Sequence, residues 1–177
     1  MTFLPTAATI VLVTLSLAAA QDHDTLPGAT NYTRVEATVA CGGATTPDAF
    51  PELRARGFAA IVNLREAGEP GADIDAAASA ARASGLRYLH IPLSSRTPGA
   101  EAFDAFLAAM EDPANSPVYI HCASANRVGA VWLAKRMLVD GWDEQRAMAE
   151  AEAIGLKSPV LRDFALDYVR RHRAAGR

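Results

Sequence analysis

The stretch Val118-Tyr119-Ile120-His121-Cys122-Ala123-Ser124-Ala125-Asn126-Arg127-Val128 leaves this chain few ways to fold. Val118–Ile120 is a run of β-branched and aromatic residues after Pro117, the signal of a buried strand. A helical pattern begins at Val128 and runs to Val139, so the connection between strand and helix has to be tight. Such a strand–loop–helix unit gathers backbone N–H groups and the positive end of a helix at one point, where an oxyanion is stabilised. A thiol placed there is expected to ionise more readily than a free cysteine. Arg127 adds a planar fork of donors that matches phosphate in bidentate fashion. Cys122 as nucleophile, the loop Ala123, Ser124, Ala125 and Asn126 as anion cradle, and Arg127 as fixed cation fall within six residues. The combination suits phosphoryl-type chemistry.

The rest of the chain frames that unit. Tyr32–Val35 and Thr38–Ala40 are β-prone runs split by Glu36-Ala37, an expected hairpin at one sheet edge. Cys41-Gly42-Gly43 reads as a loop. Thr46-Pro47-Asp48 reads as a helix start with a capping hydroxyl and a first-position proline, and Gly57 ends that helix. The apolar run Phe58–Leu64 and the segment Arg87–Leu93 are expected to be buried strands. Between them Asp73 caps an Ala-rich helix, Ile74–Ser84. Thr97-Pro98 opens another that reaches Met110, and Asp112–Pro117 turns the chain into the strand before Cys122. Helices over Val128–Asp140, Asp143–Ile154 and Ser158–His172 follow, the first two closed by Gly141 and Gly155. Strands alternating with helices imply an α/β fold of three layers, with a mostly parallel sheet of about five strands covered by helices on both faces.

Ahead of this domain, Met1–Ala20 is an apolar segment ending in Ala18-Ala19-Ala20, shorter in its apolar core than a spanning helix. It is expected to be a secretory signal peptide cleaved after Ala20, although no Lys or Arg precedes the core. Residues 21–30 then form a flexible lead-in to a domain over residues 31–177. An exported protein, periplasmic or secreted and without stable membrane association after cleavage, is the consequence. A formal charge of −3 and the lack of a basic cluster before Arg170 argue against nucleic acid as a partner. Two cysteines and four scattered histidines give no metal-ligand spacing, so neither a metal nor another cofactor is expected.

At its cysteine loop the chain resembles the protein tyrosine phosphatase superfamily, whose loop reads His-Cys-x5-Arg. The spacing here is one shorter, Cys122-x4-Arg127, and in that it is similar to the bacterial phosphatase-like domain of beta-lactamase hydrolase-like proteins. The likeness extends to Cys41-Gly42-Gly43 with Thr46-Pro47, to Ile61-Val62-Asn63-Leu64-Arg65, and to Tyr88-Leu89-His90-Ile91-Pro92. It implies a cysteine phosphatase that takes an anionic phosphorylated substrate and forms a phosphocysteine intermediate. It also implies that His121 orders the loop. Three features depart from the superfamily, the first two being that Ala125 stands where glycine is usual and that Val128 replaces a hydroxyl residue that helps break down the intermediate. Ser94 and Ser95 occupy the loop on which relatives carry the aspartate that protonates the leaving group. Glu66, Glu69 and Glu101 are candidate substitutes for that acid.

In an open parallel sheet, ligands sit at the carboxyl ends of the strands. The loops Gly42–Thr45, Arg65–Gly71 and Ser94–Thr97 are therefore expected to converge on Cys122. That puts Arg65 and Arg96 where they either face an anionic substrate or lie on the surface as ordinary loop arginines. Ser124 and Asn126 could bond the loop or the leaving group. Cys41, at the end of its strand, could face the same site and trap Cys122 as a disulfide, or pack as a small apolar residue. Two other functions share the loop chemistry. A rhodanese-like sulfurtransferase would carry a persulfide on Cys122, and a non-catalytic binder of anions or phosphoproteins would keep the cradle without turnover.

Overall fold

The computed structural model describes residues 25–176. The expected signal peptide and the first residues of the lead-in lie outside the described residues. Five strands run in the order β1 (Thr33–Glu36), β2 (Val39–Gly42), β3 (Ala60–Asn63), β4 (Arg87–His90) and β5 (Val118–His121). Six helices accompany them: α1 (Phe50–Ala55), α2 (Ile74–Ala83), α3 (Ala100–Glu111), α4 (Asn126–Leu138), α5 (Glu144–Ile154) and α6 (Pro159–Ala175). No helix among the described residues is long and apolar enough to cross a membrane.

The strands form one sheet in the order β1-β2-β5-β3-β4. The β1–β2 hairpin is antiparallel and sits at one edge, as the residues suggested, and every other pairing is parallel. β5 is central, and its last residue, His121, lies level with Gly42 of β2 and Asn63 of β3. Three strands therefore release their loops at the same height around Cys122. Side chains alternate across a strand, which splits the interior in two. Cys41, Val62, Val118 and Ile120 pack beneath α3–α6, with Trp132, Phe103 and Phe106 filling that layer. Ala40, Ile61 and Tyr119 face the other way, onto Phe50, Leu53, Ala77 and Ala81 of α1 and α2. The three-layer α/β arrangement is thus the one expected.

Two helix starts differ from the sequence reading. Thr46 leads into a short 3-10 turn, Pro47–Ala49, before α1, and its hydroxyl bonds Gly28 O (3.4 Å) rather than capping. Thr97 turns its hydroxyl to Ser94 Oγ (3.3 Å), so α3 begins at Ala100 with Gly99 as an uncapped lead. By contrast Asp73, Asp143 and Ser158 all accept the backbone N–H expected of a cap. Two described residues of the lead-in are tied to the domain. Leu26 is 2% exposed in the α1–α2 layer, and Ala29 forms a β-bridge to Thr45.

α4 is buried almost all round, held by the sheet, α5 and α6. Gly129 permits this. A Cβ there would lie 2.7 Å from Ala151 O and 2.8 Å from Leu156 Cβ, so the end of α5 rests on bare backbone. Gly129→Ala is expected to cost about 1–3 kcal/mol through overpacking. That lowers the thermal midpoint by roughly 2–4 °C per kcal/mol in a domain of this size. A melt followed by circular dichroism reads the shift, and an unchanged midpoint would contradict the close approach.

Candidate active site

α4 begins at Asn126, two residues earlier than its apolar pattern suggested, so Arg127 belongs to the first turn of the helix. Only Cys122–Ala125 separate strand from helix. The turn is made by Ala125, whose φ of 65° lies in the left-handed region where a non-glycine residue is strained by about 1–2 kcal/mol. Its methyl group is fully buried against Gly155, where a Cβ would come within 2.9 Å of it. The turn before α6 thus leaves room for the side chain that the loop carries in place of glycine.

The flanking loops hold this one in place. Ala44 N donates to Ala123 O (2.9 Å), and Cys122 N donates to Gly42 O (3.3 Å). Asn126 Oδ1 accepts from Lys157 N (2.7 Å) and Ser158 N (2.8 Å), tying the loop to the start of α6. Asn126 is therefore a structural tie, one of the two roles its sequence position allowed. Ser124 is exposed beside it. Among the described residues, no protein acceptor engages the backbone N–H groups of Ala123, Ser124, Ala125 or Asn126. They are available at the positive end of α4, as an anion cradle requires.

Arg127 is 3% exposed, and its donors can be assigned one by one. Nη1 donates to Glu69 Oε1 and to Leu93 O (3.1 Å), and Nη2 donates to Glu69 Oε2 (2.8 Å). Glu69 thus holds the end of the guanidinium in a bidentate pair. A guanidinium carries five N–H donors. The two left, on Nε and Nη2, form the side-on fork that fits two oxygens of one phosphate. Cys122 Sγ lies close enough to this arginine to interact with it. Burial is the largest single influence on Arg127 and works against its charge, but the hydrogen bonds with Glu69 and the attraction of Cys122 and Glu69 together outweigh it and hold its pKa above the ordinary value.

Glu69 was a candidate for the missing acid, and its surroundings exclude it. The hydrogen bond with Arg127 comes first in lowering its pKa to about 2, helped by the backbone of Glu66 (2.7 Å) and by the charges of Arg127 and Arg65. A carboxylate so held cannot give up a proton at neutral pH. Its work is to aim Arg127. No spacing rule links Glu69 to an arginine so far along the chain; only the packed loop does. Glu66 and Glu101 stand exposed, and neither carboxyl is hydrogen-bonded to the cysteine loop.

Two of the three residues offered as substrate-facing are placed elsewhere. Arg65 is 7% exposed and donates to Pro70 O (2.5 Å) and Gly71 O (3.0 Å), so it braces the loop that presents Glu69. Cys41 is fully buried on the α3–α6 side, where burial above all pushes its thiol up and out of the reactive range. It pairs with Ile120, which makes it the diagonal neighbour of Cys122, and both thiols are free. Arg96 is exposed on the Ser94–Thr97 loop.

His121 is 2% exposed and stacks on Tyr119 at 5.8 Å. Burial dominates its titration and lowers its pKa to about 4. The backbones of Gly43 and Cys122 lie beside the ring, yet neither ring nitrogen meets hydrogen-bond geometry with them. The ring is a neutral plate under the loop rather than a charge beside the thiol. No group of three or more His, Cys, Asp or Glu side chains among the described residues could hold a metal ion.

Comparison with known proteins agrees with this geometry. The family model for the phosphatase-like domain of beta-lactamase hydrolase-like protein matches residues 31–138. The beta-lactamase hydrolase-like protein of Xylella fastidiosa (strain Temecula1) is 32% identical over 129 residues, which are 69% of this chain and 29% of that protein. The chain spans less than a third of the length of the curated relatives it matches. Among solved structures, a variant of P. aeruginosa TpbA in complex with pTyr superposes with a TM-score of 0.64 at 20% identity, over 88% of this chain and 91% of that one. The core catalytic domain of PP-IP phosphatase SIW14 from S. cerevisiae, in complex with citrate, gives 0.67 at 16% identity, over 86% and 96%. At such identities the likeness is one of fold.

Proposed function

The chain belongs to the family of the phosphatase-like domain of beta-lactamase hydrolase-like protein, and from that membership we propose that it is an exported, metal-independent cysteine phosphatase of phosphate monoesters. Cys122 Sγ attacks phosphorus. The loop N–H groups and the side-on fork of Arg127 hold the equatorial oxygens, the leaving oxygen departs, and water hydrolyses the phosphocysteine. The observation that carries this reading is the assignment of Arg127's donors. Glu69 and Leu93 O take three, and the remaining pair is the one a phosphate needs beside the thiol. That fold neighbours hold pTyr and citrate supports an anionic ligand. The segment Met1–Ala20 supports export.

A binder without turnover is the second reading, favoured by Val128. In the resembled superfamily a hydroxyl stands at this position and speeds breakdown of the intermediate; here the side chain is apolar and fully buried in the first turns of α4. Phosphate release from an aryl phosphate in the presence of EDTA decides between the two. Turnover that needs Cys122 supports the phosphatase. Tight vanadate binding with no release, and no thiocyanate from thiosulfate and cyanide, supports the binder.

With Glu69 ionised and pinned, no other carboxyl group among the described residues is hydrogen-bonded to the cysteine loop or to Arg127, and protonation of the leaving oxygen, a step typically worth ~10²–10⁴-fold, has no assigned donor. Across a series of aryl phosphates, kcat/KM is therefore expected to fall steeply as leaving-group pKa rises, with no alkaline limb in its pH profile. A flat dependence would reveal an acid, and Glu66→Gln and Glu101→Gln would then locate it.

A further inference from the structure

Resting on the phosphatase reading, we infer that the preferred substrate class is a phosphoanhydride, in which the leaving group is itself a phosphate. The rim of the site points that way. Five segments meet at Cys122: residues 43–46, 65–73, 94–99, 123–126 and 155–158. They are joined by Ala44 N to Ala123 O, by Arg127 to Glu69 and Leu93 O, and by Asn126 to Lys157 and Ser158. None of the five carries a Phe, Tyr or Trp. The aromatic side chains of the described residues sit on strands and helices, next to β1, or, as with Phe58 and Trp142, on connections outside these five segments, so the segments themselves offer no ring face against which an aryl leaving group could stack.

The rim offers cations instead. Arg96 is exposed three residues beyond Leu93, and Lys157 is exposed at the turn that Asn126 ties to the loop. Among the described residues, neither takes part in an ion pair. The exposed carboxylates of the five segments are Glu66 and Asp73, both on the second, and Asp73 caps α2; Glu69 is spent on Arg127. These two cations stand on segments adjoining the cradle, and they suit a second phosphate attached to the first.

The lack of an acid selects the same class. A phenol leaves with a pKa of about 10 and gains much from being protonated. A phosphate monoester has its second pKa near ~6, so it departs as a stable anion with no proton supplied. Cys122 Sγ forms a bond to the terminal phosphorus, and the bridging P–O bond breaks with its electron pair going to the departing phosphate. Water then attacks the phosphocysteine, Sγ leaves with the S–P pair, and the proton of that water passes to solvent.

The test compares kcat/KM of the full chain for inorganic tripolyphosphate, a phosphotyrosine peptide and 4-nitrophenyl phosphate, with EDTA present. Tripolyphosphate is expected to exceed the peptide by ~10²-fold or more, the share an acid would have supplied. Arg96→Ala combined with Lys157→Ala is expected to reduce that preference by about tenfold or more. If 4-nitrophenyl phosphate is hydrolysed with full dependence on Cys122 while the peptide equals or exceeds tripolyphosphate, the anhydride assignment falls and the phosphatase reading stands. A double variant that keeps the full preference removes the two cations from the argument and overturns the assignment as drawn. If none of the three compounds is turned over, both readings fall together.

Discussion

Cys122→Ser is expected to lower phosphate release by on the order of 10⁴-fold or more, because the bond to phosphorus has no other nucleophile to form it. Cys122 is 1% exposed in a loop whose hydrogen bonds run through its backbone and through Asn126, so the fold is expected to survive the exchange of sulfur for oxygen. Vanadate binding and the thermal midpoint of the variant check this. Arg127→Lys is expected to lose about 10²–10³-fold. An ammonium cannot hold Glu69 end-on and a phosphate side-on at the same time. Hydrolysis at the wild-type rate by Cys122→Ser would remove the nucleophile assignment altogether.

The second large effect falls on a residue that touches no substrate. Glu69→Gln leaves one side of the Arg127 fork with an amide that can accept only one of its two hydrogen bonds. The guanidinium then loses its aim, and kcat/KM is expected to drop by about 10²-fold. The accompanying change in stability has a definite sign. The pKa of Glu69 is lowered from 4.5 to about 2 in the folded chain. Its contribution is therefore fully present above pH 4.5 and is lost as the pH falls through about 2. Wild type is expected to melt higher than Glu69→Gln at pH 7, and the two curves are expected to approach one another as the pH falls toward 2. His121, lowered from 6.5 to about 4, adds a separate loss of stability between those values. Both proteins share that loss, so it cancels in the difference. Midpoints that stay equally far apart at every pH would show that the charge on Glu69 does not stabilise the fold.

Much of this architecture was readable from local patterns, and the exceptions have physical causes. β5 followed by the loop and α4 is stated by composition alone, because a β-branched run, a tight connection and a helical period leave little choice. The cap at Asp73 was equally plain, and Asp143 and Ser158, read as helix starts, cap theirs as well. Thr46 and Thr97 carried the same cap signal and did not use it, since Gly28 O and Ser94 Oγ offered their hydroxyls a partner outside the helix. At the site, Cys122 and Arg127 were legible from spacing. Glu69, Arg65 and Asn126 were visible as charged or polar residues on the right loops, but their roles depend on partners brought in by the sheet. Arg65 and Cys41 were offered as facing the substrate because position along the strand tells where a residue ends, not whether its neighbours close over it.

The pairing of Arg127 with Glu69 and Leu93 O has a consequence for protein engineering. A designer who transplanted His121–Arg127 onto another strand and helix would carry across the nucleophile, the turn and the arginine. The graft would arrive without the two remote loops that set the direction of the guanidinium, and the arginine would be free to swing toward any carboxylate of its host. The portable unit is therefore three loops on three parallel strands, and a minimal version of this site has to be built as a sheet rather than as a peptide.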